Sequence, residues 1–212
     1  TTSLASPQHI KQTTHCCLGC SNPPGGGGYR PPPPLFEELI NMQKSAAAFK
    51  HCGTRLLALD QSSVKTGYAL FCGSNLTRWG VLNTKKEKDA DKRFCSMCSQ
   101  IHFMITKTKP DFVVFEKISL HSSVKTLTLL ARLQGGIMQS CYINHIDFAV
   151  YAPSTWRRIL GLLHGGKAMR EEHKKRAIAF VRNGYGIKVG DDCAEAICIG
   201  VAHLKSTHIL TD

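Results

Sequence analysis

The first 36 residues of this 212-residue chain contain no Asp or Glu. Acids are scarce throughout, 15 against 27 Lys plus Arg, which gives a net charge of +12 and a pI near 9.4. That imbalance favours an anionic partner, nucleic acid first and an anionic membrane second. Apolar runs long enough to cross a bilayer are missing as well, which argues against an integral membrane protein. What is present is ordinary globular material: 42% hydrophobic and 20% charged residues, enough to exclude full disorder or a fibrous protein. This length buries a real core without metal or disulfide staples. Ten cysteines are scattered, several on apolar helical faces, which suits reduced thiols better than a secreted disulfide framework.

The chain divides near residue 54. Residues 1–53 read as an arm: Pro23-Pro24 leads into tetraglycine, and Pro31 to Pro34 is a tetraproline that favours extended polyproline II. A short helix is expected over 35–49. The acid-poor, Ser/Thr/Pro-rich composition resembles an organellar transit segment, with an untargeted extension as the alternative. Cys16, Cys17, Cys20, His51 and Cys52 invite a zinc reading, but a firm one needs two well-spaced pairs; free thiols on the arm compete with it.

From Thr54 the pattern alternates strand and helix. Short apolar runs over 55–60, 67–72, 77–83, 111–116 and 147–151 read as five strands, the first three an antiparallel meander. Amphipathic spacing predicts helices over 88–108 and 122–144, a short one capped by Ser154 and containing Trp156, a basic one over 167–183 and an apolar one over 191–204. Cys95 and Cys98 fall in the apolar stripe of the first helix and read as core. The stripe of the second is wide enough that part of it is expected to meet another subunit. The order βββαβαβαα suggests a mixed five-stranded sheet flanked by helices.

Asp60 and Glu116 each close an apolar strand. If those strands are neighbours, two carboxylates emerge together, which is unfavourable unless a hard cation neutralises them. Asp192 and Glu195, three apart at the start of the last helix, share a face and could add more oxygens. Four carboxylates around an open site suit two-metal phosphodiester hydrolysis, with ions roughly 4 Å apart. The plainer account is that acids often sit at strand ends and helix N-termini, where they cap and meet the positive dipole end.

Five motifs in order, LLALDQSSVKTGYALF, VVFEKISL, YAPSTWRRILGL, GKAMREEHKKRAIAFV and GDDCAEAICIGVAHL, resemble the RuvC-type Holliday junction resolvases, closest to the short phage and Gram-positive forms, over residues 55–204. The resemblance implies a ribonuclease H-like α/β fold with three antiparallel strands followed by two parallel ones. It also implies a homodimer, formed here through the long helix 122–144, and Mg²⁺-dependent nicking of four-way DNA junctions, with two ions per site and Mn²⁺ as a substitute. Carried over, it makes Asp60 the central metal ligand, with Glu116, Asp192 and Glu195 completing the set. Glu195 replaces the family's Asp, and Asp191 is a substitute candidate for Asp192. Lys174 or Lys175 matches a lysine that approaches the scissile phosphate. The loop Gln61-Ser62-Ser63 resembles a phosphate contact, and Gly67 fits its tight return. Where family members often place a base-stacking aromatic, this chain has Ser119, with Leu120 or His121 as substitutes.

The arm holds four of the 27 bases and two of the 15 acids, so +10 of the +12 belongs to the rest. Lys117, Lys125, Arg157, Arg158, Lys167 and Arg170 are the leading candidates for contacts to DNA, mostly to phosphate and so salt-sensitive. Trp156 reads as a core anchor rather than a base platform. A junction endonuclease of recombination and repair in a bacterial or phage-infected cytoplasm is the expected function, with an organelle in view if the arm is a transit segment. A nuclease acting on structured RNA and a non-catalytic junction binder are the alternatives.

Overall fold

The computed structural model describes residues 53–118, 123–163 and 170–207. Residues 1–52, with the helix expected over 35–49 and the zinc candidates, lie outside the described residues, as do Ser119, Leu120, His121 and Lys167. The described residues form strands β1 (Arg55–Asp60), β2 (Lys65–Cys72), β3 (Asn75–Asn83), β4 (Phe112–Glu116) and β5 (Asp147–Tyr151). They also form helices α1 (Ala90–Thr108), α2 (Val124–Ile143), α3 (Pro153–Ile159), α4 (Arg170–Tyr185) and α5 (Asp191–Ser206).

The sheet order is β3-β2-β1-β4-β5. β1–β2 and β2–β3 pair antiparallel, and β1–β4 and β4–β5 pair parallel. This is the expected mixed sheet. The central strands are buried on both faces, so they read as unbroken apolar runs. One set of alternate residues, including Leu56, Ala58, Ala69, Phe71 and Val114, packs with Trp156 of α3, Ala177 of α4 and most of α5. The other set, including Leu57, Leu59, Leu70, Val113 and Phe115, packs with Met97 and Ile101 of α1 and Leu133 and Ile137 of α2.

Helix boundaries follow local chemistry. α1 begins at Ala90 rather than at 88 because the Asp89 carboxylate caps it, accepting from the Lys92 N–H at 2.8 Å. It ends at Lys109 in the left-handed region, with Pro110 beyond. α3 starts one residue before Ser154: Pro153 occupies its first turn and Ala152 precedes it without a side-chain cap. Proline's fixed φ suits that position and its missing N–H costs nothing there.

The cysteine expectation needs two corrections. Cys95 is exposed, because the α1 stripe turns it outward while Met97 and Ile101 face the sheet. Cys72, half-buried at the end of β2, is disulfide-bonded, whereas Cys98, Cys141, Cys193 and Cys198 are free thiols. Burial pushes the Cys141 and Cys193 thiols up to about 11. Among the described residues no helix is long and apolar enough to cross a membrane.

Candidate active site

β1 and β4 are parallel neighbours with Leu59 opposite Phe115, so the next residues along, Asp60 and Glu116, leave the sheet at the same edge. Strand alternation sets their direction. Asp60 shares parity with Leu56 and Ala58, and Glu116 with Val114, the residues that pack under α5. Both carboxylates therefore belong to the face on which α5 lies.

α5 brings the second pair. Asp60 pairs across the ladder with Gly67, and a Cβ at Gly67 would run into the backbone carbonyl of Asp192. The missing side chain is what lets the start of α5 settle against β2 beside Asp60. Further along, Gly200 meets the Phe71 ring and the Ala58 methyl in the same way, so two glycines set the helix close to the sheet at both ends of their contact. Asp192 and Glu195 then sit one helical turn apart over the strand ends.

Glu195, Glu116 and Asp192 all lie near enough to Asp60 to act on its carboxyl. Burial first, then repulsion from Glu195, Glu116 and Asp192, holds the Asp60 carboxyl well above its usual range, while Arg157 pulls the other way. Glu116 is also raised, chiefly by burial, against the opposing hydrogen bond from Trp156 and the charge of Arg157. Asp192 is raised by burial and by Asp191, with Lys65, Lys174 and Arg170 opposing. Asp191 behaves differently. Its Oδ2 lies 2.7 Å from Lys174 Nζ, and that bond lowers its carboxyl.

A family model described as "Crossover junction endodeoxyribonuclease RuvC" matches residues 56–203, from β1 through α5. The chain belongs to the RuvC family. Among its relatives, RuvC of Brachyspira hyodysenteriae is 25% identical over 161 residues, covering 74% of this chain and 97% of that protein. RuvC of Fusobacterium nucleatum is 24% identical, covering 72% and 80%. Solved structures share the fold at low identity. Thermus thermophilus RuvC in complex with a Holliday junction substrate has a TM-score of 0.59 at 15% identity, covering 74% of this chain and 96% of that one. The yeast mitochondrial Holliday junction resolvase has a TM-score of 0.52 at 17% identity, covering 82% and 86%.

Asp60, Glu116, Asp192 and Glu195 offer an oxygen-only donor set, which fits a hard divalent cation rather than a thiophilic one. Burial, and then the neighbouring acids, raises the Asp60 carboxyl, and burial raises that of Glu116; a bound divalent cation would oppose both shifts. Among the described residues, however, no group of three or more His, Cys, Asp or Glu side chains is arranged to hold a metal ion. Two of the acids are held instead by side chains of α3. The Trp156 indole donates to Glu116 Oε2 at 2.7 Å, and Arg157 Nη2 donates to Glu195 Oε1 at 2.8 Å.

Several expected DNA contacts are distributed differently from one another. Arg157 turns inward onto Glu195, while Arg158, Lys117, Lys125 and Lys175 are exposed. Lys174 reaches the pocket edge through Asp191, and Arg170 is close enough to act on Glu116 and Asp192. Gln61 is engaged within the protein: its amide donates to the Glu116 carbonyl and accepts from the Glu116 N–H at 3.1 Å, fastening the ends of β1 and β4 together. Ser62 accepts from the Val64 N–H at 3.3 Å, and Ser63 is buried. Lys65, opposite Asn83 and acting on Asp192, is a basic neighbour that sequence reading missed, because only the β2 register places it there.

Proposed function

We propose that this protein is a divalent-metal-dependent endonuclease that resolves four-way DNA junctions, with Asp60, Glu116, Asp192 and Glu195 as metal ligands. The observation that carries this reading is the register that brings Asp60 and Glu116 out together on adjacent strand ends, with the start of α5 packed against Gly67 beside Asp60, within a net-basic protein. When bound, two Mg²⁺ ions, or Mn²⁺ in their place, would supply activation of the attacking water and charge for the leaving oxygen. The chain's own residues do the rest. Asp60 and Glu116 hold their carboxylates on adjacent strand ends, fixed by the sheet and by Gln61. Lys174 and Arg170 give positive charge at the pocket edge, where a scissile phosphate would lie. Arg158, Lys117 and Lys125, exposed, bind neighbouring phosphates and give affinity that falls with salt.

The protein acts as a homodimer in this reading, which suits a substrate with two equivalent strands. Leu133, Ile137 and Cys141 of α2 face the sheet, while Val124, Met138 and Tyr142 stay exposed on its other side. A second copy of the helix would cover them. The bacterial relatives support a cytoplasmic place of action. The deciding experiment is cleavage of a synthetic four-way junction with Mg²⁺ or Mn²⁺ by the wild type and by Asp60→Asn. Wild-type cleavage absent from the variant supports the assignment; equal activity in both, or none with the wild type, removes it.

A further inference from the structure

α3 is only seven residues long, yet two consecutive side chains on it reach two of the four acids, and these come from different elements. Trp156 is fully buried. Its indole N–H is a donor with no acceptor capacity, so burial is affordable only if it finds a partner, and the partner is Glu116 Oε2 at 2.7 Å. A donor bonded to a carboxylate makes a short, charge-assisted bond that pins a side chain with three free torsions. One carboxylate oxygen is thereby committed and the other is left to the pocket. Arg157, about 100° further round the helix, folds its guanidinium over the indole, 4.3 Å from the ring centroid. From there it bonds Glu195, with both side chains nearly out of solvent at 13% and 14% exposure.

We infer that Trp156 is a positioning residue for the metal site: its N–H fixes the carboxylate of Glu116, and its ring face seats the arginine that holds Glu195. The inference rests on the nuclease reading above, since it assigns those carboxylates to a divalent cation. Its physical basis is that partners behind metal ligands set ligand orientation before the ion arrives. Without the indole N–H, Glu116 would retain its place on β4 but lose its fixed rotamer. Part of the binding free energy would then go into ordering it.

The test uses the full chain with two replacements at position 156. Trp156→Phe removes the N–H and some volume. Incorporation of benzothienylalanine keeps the fused-ring shape and puts sulfur where the N–H was. Mn²⁺ binding is followed by electron paramagnetic resonance, melting by circular dichroism, and junction cleavage as a function of Mn²⁺ concentration. We expect the sulfur isostere to weaken Mn²⁺ binding by about tenfold or more. Its cleavage should be lost at low Mn²⁺ and recovered when Mn²⁺ is raised in proportion, a rescue that simple destabilisation would not give. Should Trp156→Phe fail to fold, the isostere decides alone. An isostere that binds Mn²⁺ as the wild type does overturns the inference, even if the Phe variant binds weakly, because packing would then be the whole effect. A wild type that binds no Mn²⁺ removes the nuclease reading, and this inference with it; wild-type binding with an unimpaired isostere removes this inference only.

Discussion

The two faces of the sheet are made from alternate residues of the same strands, yet each carries a different surplus. The face under α3, α4 and α5 has a surplus of polar groups: four carboxylates, partly answered by Trp156, Arg157 and Lys174. The face under α1 and α2 has a surplus of apolar surface, with Val124 80% and Tyr142 82% exposed on the far side of α2. The proposed chemistry and the proposed contact between copies thus fall on opposite layers, so changes to either should be separable.

The largest expected effect lies on the acidic face. Glu116→Gln should reduce junction cleavage by well over the roughly 100-fold that loss of an outer-shell partner can cost, while the melting temperature stays close to that of the wild type. The matching change on the apolar face is Leu133→Ala, which removes a fully buried side chain. It should cost about 2–5 kcal/mol of stability and leave cleavage intact below its melting point. If Leu133→Ala abolished cleavage in a folded protein, the two layers would not be independent.

A pair of glycines sharpens the contrast. Gly67→Ala would push against the Asp192 carbonyl, so it should cost about 1–3 kcal/mol and displace Asp192 enough to lower activity. Gly135→Ala, on α2 with nothing within 4 Å of the added methyl, should stabilise the monomer by up to about 1 kcal/mol through helix propensity alone. Chemical denaturation of both, followed by cleavage, checks the ordering.

The smallest expected effect concerns pH. A carboxyl whose pKa is raised by folding binds its proton more tightly in the folded chain. Its contribution to stability is therefore full below the ordinary carboxylate range and is lost as pH rises through the raised value. Asp60 is such a group. In EDTA at neutral pH, Asp60→Asn should melt higher than the wild type, by about 2–4 °C. The gain should shrink as pH falls toward about 4, and Mn²⁺ should narrow it by stabilising only the wild type. A variant that melts lower under all these conditions would mean that the ionised carboxylate is not a burden to the fold.

The sheet was legible in the sequence because its central strands β1 and β4 are buried on both faces and each ends in an acid. Asp60 and Glu116 stood out because a carboxylate closing an apolar run is conspicuous, and Asp192 and Glu195 because they lie three apart at the start of the last helix. Gly67 was noticed for its turn, but its larger service, admitting the start of α5, depends on a contact 125 positions away. The roles of Trp156, Arg157 and Gln61 were not legible. Residue type shows that an indole is apolar with one donor and that an arginine is cationic, but not which way either side chain turns. Arg157 and Arg158 are adjacent and chemically identical, yet helix geometry sends one to Glu195 and the other to solvent.

The side-by-side exit of Asp60 and Glu116 has a consequence for how this fold can vary. Each acid reaches the pocket only because an even number of steps separates it from the residues beneath α5. Inserting or deleting a single residue within β1 or β4 would rotate one acid to the opposite layer, among Leu59 and Phe115, and no adjustment of its side chain could bring it back. Length changes in the loops can be tolerated gradually, whereas within these two strands the pocket is either whole or absent.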